Sequence, residues 1–288
     1  MSARTDYPAK AITIESQGYQ LTGQIAVPPE GEAELAVVIH PATGVPARFY
    51  RHFAAWVARE HQAAVLTYDY RQFGASLGSM PMREADATMT DWGVADQSAA
   101  LGAICAAYPD LPVWVIGHSL GGMFLAWHDD AHRVTRQISI ASGPAHLSTH
   151  PVSFKPMAFY FWMLGGPAFT KMMGYMPGRL AGLGPDLPAG VYWQWRRWCT
   201  SRQFYEVDWG GPIPQPDLSR AKADLTIIGI TDDPMIPVRQ TEKLARFYPS
   251  VASVTRRQVS PVDAGVKRIG HLNVFSRTCQ QAWPKLVA

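Results

Sequence analysis

Cysteine is scarce in this 288-residue sequence, and the three present, Cys105, Cys199 and Cys279, lie far apart. They form neither a CxxC pair nor a disulfide framework, a usage that fits a reducing cytoplasm. The first ten residues, MSARTDYPAK, lack the apolar core of a secretion signal. Uninterrupted apolar runs of the ~18–20 residues needed to cross a bilayer are missing too. The most apolar stretch, Phe154 to Leu164, is short and broken by Lys155 and Pro156. No dense basic stripe offers itself to a phosphate backbone. The net charge of +3 is spread over short pairs such as Arg196-Arg197 and Arg256-Arg257, which argues against a nucleic-acid partner. Repeats and low-complexity tracts are absent as well. The expectation is a soluble cytoplasmic protein without a membrane span, whose oligomeric state the sequence leaves open.

What is present is an ordinary globular balance, with 47% hydrophobic residues against 17% charged. Ala11–Glu15 and Tyr19–Val27 alternate apolar and polar residues, which predicts an antiparallel pair. Leu35–His40, Ala64–Tyr68, Val113–Gly117 and Gln137–Ala141 are short runs nearly bare of polar residues. Helical spacing separates them, over Phe49–His61 and Trp92–Ala107. Such strands, alternating with amphipathic helices, predict an α/β fold with a mostly parallel sheet covered on both faces. The alternation stops near Ala145 and resumes with Leu225–Ile230, a helix over Pro237–Phe247, a strand at Ala252–Val259 and a closing helix after His271. The expected organisation is a core of residues 1–144 and 221–288, with 145–220 inserted as a helical cap that holds no credible strand.

Gly117-His118-Ser119-Leu120-Gly121 fits the G-x-S-x-G elbow, at a predicted change from buried strand to helix. In that context the serine sits on a strained turn with its hydroxyl lifted clear, and the flanking glycines keep Cβ atoms away from neighbouring backbone. A following helix would direct its positive end at the reaction centre. A serine hydroxyl needs a base to activate it, and the base needs an acid to orient it. Of nine histidines, His271 stands where chain order Ser–acid–His requires the base, in a loop after the last strand. His128 and His132 have an i, i+4 metal-pair spacing but no identifiable third ligand, so no metal is expected. The loop after Leu225–Ile230 supplies adjacent acids, Asp232 and Asp233. Asp69, Asp91 and Asp96 precede the serine and read as turn or helix-cap residues.

Together these motifs resemble the α/β-hydrolase superfamily, in particular its bacterial cytoplasmic esterase-like and serine-aminopeptidase-like branch. The resemblance covers nearly the whole chain outside the insertion. It includes Asp69-Tyr70-Arg71-Gln72-Phe73-Gly74-Ala75-Ser76, similar to the family's D-x-R-G-x-G-x-S with Gln72 in place of a glycine. Asp233-Pro234-Met235-Ile236-Pro237 resembles the D-x-x-x-P run led by the family's acid, and this register implies Asp233 over Asp232. Gly270-His271 matches the terminal G-H. The resemblance further implies an oxyanion hole made by the N–H of Leu120 and by the loop His40-Pro41-Ala42-Thr43-Gly44. Ala42 is the implied donor there and Thr43 the fallback.

The insertion holds five of the ten tryptophans, Trp162, Trp193, Trp195, Trp198 and Trp209, accompanied by methionines. It reads either as an adaptable apolar vault over Ser119 or as a small layer using bulky residues for its own core. Trp195 and Trp198 are the candidate substrate-binding positions. The expected activity is cleavage of small carboxylic esters with an apolar acyl or aryl group, through Ser119, His271 and Asp233 and with no cofactor. An acyltransferase using the same acyl-enzyme, or an amidase or aminopeptidase, is the alternative.

Overall fold

The computed structural model describes residues 9–180 and 184–288, so the leader reading of the first ten residues falls mostly outside it. The strands are β1 (Ala9–Ser16), β2 (Tyr19–Ala26), β3 (Leu35–His40), β4 (Ala63–Tyr68), β5 (Val113–His118), β6 (Val134–Ile140), β7 (Tyr175–Met176), β8 (Leu187–Pro188), β9 (Asp224–Ile230) and β10 (Val254–Val259). The helices are α1 (Arg51–Glu60), α2 (Gln97–Ala107), α3 (Lys155–Phe159), α4 (Gly165–Met173), α5 (Ala189–Thr200), α6 (Val238–Thr241) and α7 (Trp283–Val287). Eight strands form one sheet in the order β1-β2-β4-β3-β5-β6-β9-β10. From β4 to β10 every pairing is parallel, while β1–β2 and β2–β4 are antiparallel.

Residue type explains the order. β3 and β4 are buried at every position, the pattern of central parallel strands covered on both faces. β2 alternates over most of its length, with Leu21, Gly23 and Ile25 buried and Gln20, Thr22 and Gln24 exposed, as an edge-side antiparallel strand does. The β1–β2 turn places Gln17 at φ 52° and Gly18 at φ 86°, the two left-handed residues that a tight hairpin needs. On one face of the sheet α1 packs Phe53 against Phe275 and Trp283, with ring centroids 5.0 and 5.5 Å apart. Each such fully buried ring contributes about 1.5–3 kcal/mol of hydrophobic stabilisation.

Several elements differ from expectation. The stretch after His271 is not one helix but turns at Asn273–Phe275 and Arg277–Ala282 followed by α7. Pro284 sits in the first turn of α7, where its missing N–H is harmless; further into a helix it would clash with the preceding turn. Among the described residues, 145–220 hold helices α3 to α5 together with a two-residue antiparallel ribbon, β7–β8, a strand pair too short to show an alternating pattern. Asp96, read as a cap or turn residue, is instead fully buried. It accepts from Arg71 Nε at 2.7 Å, Arg71 N at 2.8 Å and Ser16 Oγ at 2.8 Å. This cluster ties β1 to the Asp69–Ser76 loop and to the start of α2.

Candidate active site

Ser119, Asp233 and His271 gather at the C-terminal ends of the parallel strands, the end where open α/β sheets bind ligands. β5 ends at His118 and the chain reverses at Ser119, whose φ is 53°, a strained value for a residue with a side chain. The flanking glycines are sterically required. A Cβ on Gly117 would collide with the Gly121 carbonyl, and one on Gly121 with the His40 carbonyl. The chain after Ser119 departs from expectation: 3₁₀ turns at Ser119–Gly122 and Leu125–Trp127 replace the α-helix. Gly121 and Gly122 each disfavour helix by about 1 kcal/mol relative to alanine. Leu120 to His128 are buried without exception, so packing, not an amphipathic stripe, sets their shape. The helix-end charge expected at Ser119 therefore has no helix to supply it.

Asp233 follows β9 and His271 follows β10. His271 Nδ1 donates to Asp233 Oδ2 at 2.7 Å, and both residues are buried. A carboxylate can only accept, so the proton lies on Nδ1 and Nε2 is left as the basic nitrogen. The other oxygen, Asp233 Oδ1, accepts from the backbone N–H groups of Met235 at 2.7 Å and Ile236 at 3.1 Å, which locks the carboxylate plane. Asp232 does a different job. Its two oxygens accept from Gly270 N at 3.0 Å and Ile269 N at 2.9 Å, fastening the loop that carries His271 through Gly270 at φ 64°. Ser119 is half-buried and, with His271, faces one cavity. Its hydroxyl makes no hydrogen bond among the described residues; such contacts commonly tighten only around bound substrate.

The oxyanion assignment needs correcting at one position. Leu120 lines the cavity beside Ser119, as does Thr43, but Ala42 does not. The Ala42 N–H is consumed within the core, donating to Tyr50 Oη at 2.9 Å. Tyr50 in turn donates to His118 Nδ1 at 2.8 Å, because His118 Nε2 donates to the His271 carbonyl at 3.0 Å. Burial, then the neighbouring His271, holds the His118 pKa well below its ordinary value. The neutral ring thus keeps one tautomer, and a directed chain of hydrogen bonds links the loop after β3 to the backbone of His271. Thr43, the fallback, is the donor candidate that faces the cavity.

The cavity measures about 660 Å³ and lies between the sheet end and the inserted segment. Its walls include Met89, Met123, Phe154, Phe161, Trp162 and Phe169, and among the described residues no Asp or Glu lines it. Trp195 and Trp198 both reach it, in different ways. Trp195 is half-buried and meets Trp162 edge to face at 4.9 Å. Trp198 is fully buried, with Nε1 donating to the buried Asp208 Oδ2 at 2.7 Å. Trp193, their neighbour on α5, is 39% exposed. His128 and His132 do not converge: His128 is buried with Nε2 donating to the Gly93 carbonyl, whereas His132 is exposed.

A family model described as the alpha/beta hydrolase family matches residues 36–276. The chain belongs to the α/β-hydrolase family. Its fold is shared by solved structures of low sequence identity. A soluble variant of monoglyceride lipase from Saccharomyces cerevisiae, solved with a substrate analogue, aligns with TM-score 0.63 and 14% identity over 100% of this chain and 97% of that one. An esterase from Pyrococcus furiosus gives TM-score 0.57 and 14% identity over 97% and 89%. An alpha-beta serine hydrolase homologue from Coxiella burnetii gives 0.57 and 14% over 100% and 98%. No curated protein matches the chain.

Within this α/β hydrolase the motif Asp69–Ser76 also acquires a structural meaning. Gln72 stands at φ 56°, a left-handed conformation that glycine, the residue of the resembled D-x-R-G-x-G-x-S motif, adopts without strain. The strain is offset because Gln72 Oε1 accepts from Asp86 N at 2.9 Å and Ala87 N at 2.6 Å. Asp69 accepts from Ala47 N at 2.7 Å and Ala75 N at 2.8 Å, tying this loop to the one after β3. Tyr50 and His118 are the residues that sequence reasoning missed. The only signal for His118 was its place inside the elbow, and Tyr50 carried none.

Proposed function

We propose that this hydrolase cleaves carboxylic esters bearing an apolar acyl or aryl group, through an acyl-enzyme on Ser119. The observation that carries the reading is the 2.7 Å His271–Asp233 pair opening, beside Ser119, into an apolar cavity of about 660 Å³. Nε2 of His271 takes the Ser119 proton as Oγ attacks the ester carbonyl, and returns it to the leaving alcohol. Water then repeats the sequence on the acyl-enzyme. The N–H groups of Leu120 and Thr43 hold the developing oxyanion, each such donor being worth ~2.7–4 kcal/mol in the transition state. The inserted segment, residues 145–220, acts as a cap whose Trp195 and Trp198 form part of the acyl wall.

Among the alternatives, an aminopeptidase is disfavoured because the described residues of the lining offer no carboxylate to a substrate ammonium group. The test is a fluorophosphonate probe together with p-nitrophenyl esters of graded chain length. Labelling should be confined to Ser119, and Ser119→Ala or His271→Ala should lower kcat by at least ~10⁴-fold. A Ser119→Ala protein that keeps a tenth of the activity on its best ester sinks the mechanism.

A further inference from the structure

Among the described residues, eight of the twelve large apolar side chains that are exposed fall between positions 151 and 180. The most open are Val152 at 80%, Met172 at 74% and Leu180 at 73%, joined by Leu164, Met157 and Phe159 at 50–55%. Soluble surfaces carry such residues singly; a contiguous group marks an interaction surface. Met157, Phe159, Leu164 and Met172 lie on α3, α4 and the turn between them, while Val152 just precedes α3 and Leu180 follows β7. Charge in the same stretch has one sign. Residues 151–180 contain Lys155, Lys171 and Arg179 and no Asp or Glu. Arg179 pairs with Asp186, while both lysines are exposed and without a carboxylate partner among the described residues. The patch is also continuous with the cavity, since Met157, Tyr160 and Leu180 are exposed outside and line the cavity inside.

We propose that this face of the cap docks on an anionic lipid bilayer, so that an acyl chain passes from the membrane into the cavity beside Ser119. Apolar side chains flanked by cations on a short helical surface are what an interfacial helix presents to headgroups and the acyl boundary. A partner protein of mixed charge would have no acid on this face for its own cations. The route of the acyl chain rests on the ester reading above; the docking itself does not.

Binding is measured by co-sedimentation of the full-length Ser119→Ala protein, which leaves the lipid intact, with sucrose-loaded vesicles. Vesicles are neutral phosphatidylcholine, or the same with about one third phosphatidylserine. Each exposed lysine near an anionic surface is worth about fivefold in partition. Binding to the anionic vesicles should therefore be at least ~10-fold tighter than to neutral ones, weakening with salt. Lys155→Gln with Lys171→Gln should remove about 20-fold of it. Phe159→Asp, Leu164→Asp and Met172→Asp together, at positions that do not line the cavity, should abolish it. Placed in the Ser119 background, that triple change should leave kcat/KM on a water-soluble acetyl ester within about twofold, which also reports an intact fold. No sedimentation with either vesicle overturns the proposal. So does a dimer in solution that the triple change dissociates, which would make the patch an interface between copies. Vesicle binding with no ester hydrolysis by the protein with Ser119 intact would refute the ester reading alone.

Discussion

Asp233→Asn tests the reasoning about the site most sharply, because the structure dictates how the amide must sit. Oδ1 of Asp233 accepts two backbone N–H groups, from Met235 and Ile236. The asparagine oxygen must take that place, since an NH₂ there would face two donors. The amide nitrogen then points at His271 Nδ1, now as a donor. The ring answers by moving its proton to Nε2, and the nitrogen that should accept from Ser119 no longer can. Restoring the reactive tautomer breaks that neutral amide–imidazole hydrogen bond and sets two donors face to face, at about 1–3 kcal/mol. The imidazolium formed during attack also loses a facing carboxylate, worth about 4 kcal/mol at roughly 4 Å and an effective dielectric near 20. The sum is about 6 kcal/mol, or a fall in kcat of about 10⁴-fold. Asp232→Asn behaves differently. It keeps one acceptor for Ile269 or Gly270 and loses the other, which lowers stability by about 1.5–3 kcal/mol and kcat by less than ~10-fold. The assay is kcat on a saturating p-nitrophenyl ester at pH 8, with Tm recorded for each variant. If Asp233→Asn keeps a tenth of wild-type kcat, or Asp232→Asn proves the more damaging to kcat, the assignment of the acid is wrong.

Trp195→Ala should lower kcat/KM for an octanoyl ester by about 1–3 kcal/mol in transition-state terms while sparing an acetyl ester. Trp198→Ala should cut both and lower Tm, because it removes a donor from the buried Asp208; the reverse pattern in a two-ester comparison would exchange their roles. Burial lowers the His128 pKa to about 4, against about 6.5 in an unfolded chain. Its contribution is thus full above pH 6.5 and lost as pH falls toward 4, by about 3 kcal/mol. Buried His40 and His118 are shifted in the same direction. Urea midpoints should fall steeply between pH 7 and pH 4.5, less so in His128→Gln, and a flat profile would contradict the burial argument. Tyr50→Phe leaves the Ala42 N–H and His118 Nδ1 without their partner and should lower stability by about 2–4 kcal/mol. It should also reduce kcat more than it changes KM; unchanged kcat at a lower Tm would confine Tyr50 to a structural role.

Much of this architecture could be read along the chain because it rests on local pattern. Leu35–Ile39 and Val113–Gly117 are short runs without a polar residue, the pattern of a strand buried on both faces, and both became central strands. The elbow could be read for a similar reason: Gly117 and Gly121 are the residues that the close approach of backbone at β5 and β3 demands. Chain order then pointed to His271 and to the Asp232–Asp233 loop, and only resemblance to the family's D-x-x-x-P run singled out Asp233. What the sequence could not determine were partners brought together from a distance. Ala42, the expected donor, and Thr43, its fallback, are adjacent in the chain. The choice turns on Tyr50, a residue on the far side of the loop whose hydroxyl claims the Ala42 N–H. Arg71 and Asp96 are 25 positions apart and look like surface charges until the fold buries them as a pair. The helix expected after Ser119 failed for a related reason. Local propensity there is weakened by two glycines, and Leu120 to His128 are enclosed on all sides, so tertiary packing overrode the local preference. Hydrophobic periodicity determines which strands and helices exist and which faces they bury. A hydrogen bond between distant residues carries no such periodic signal, and only the folded chain decides it.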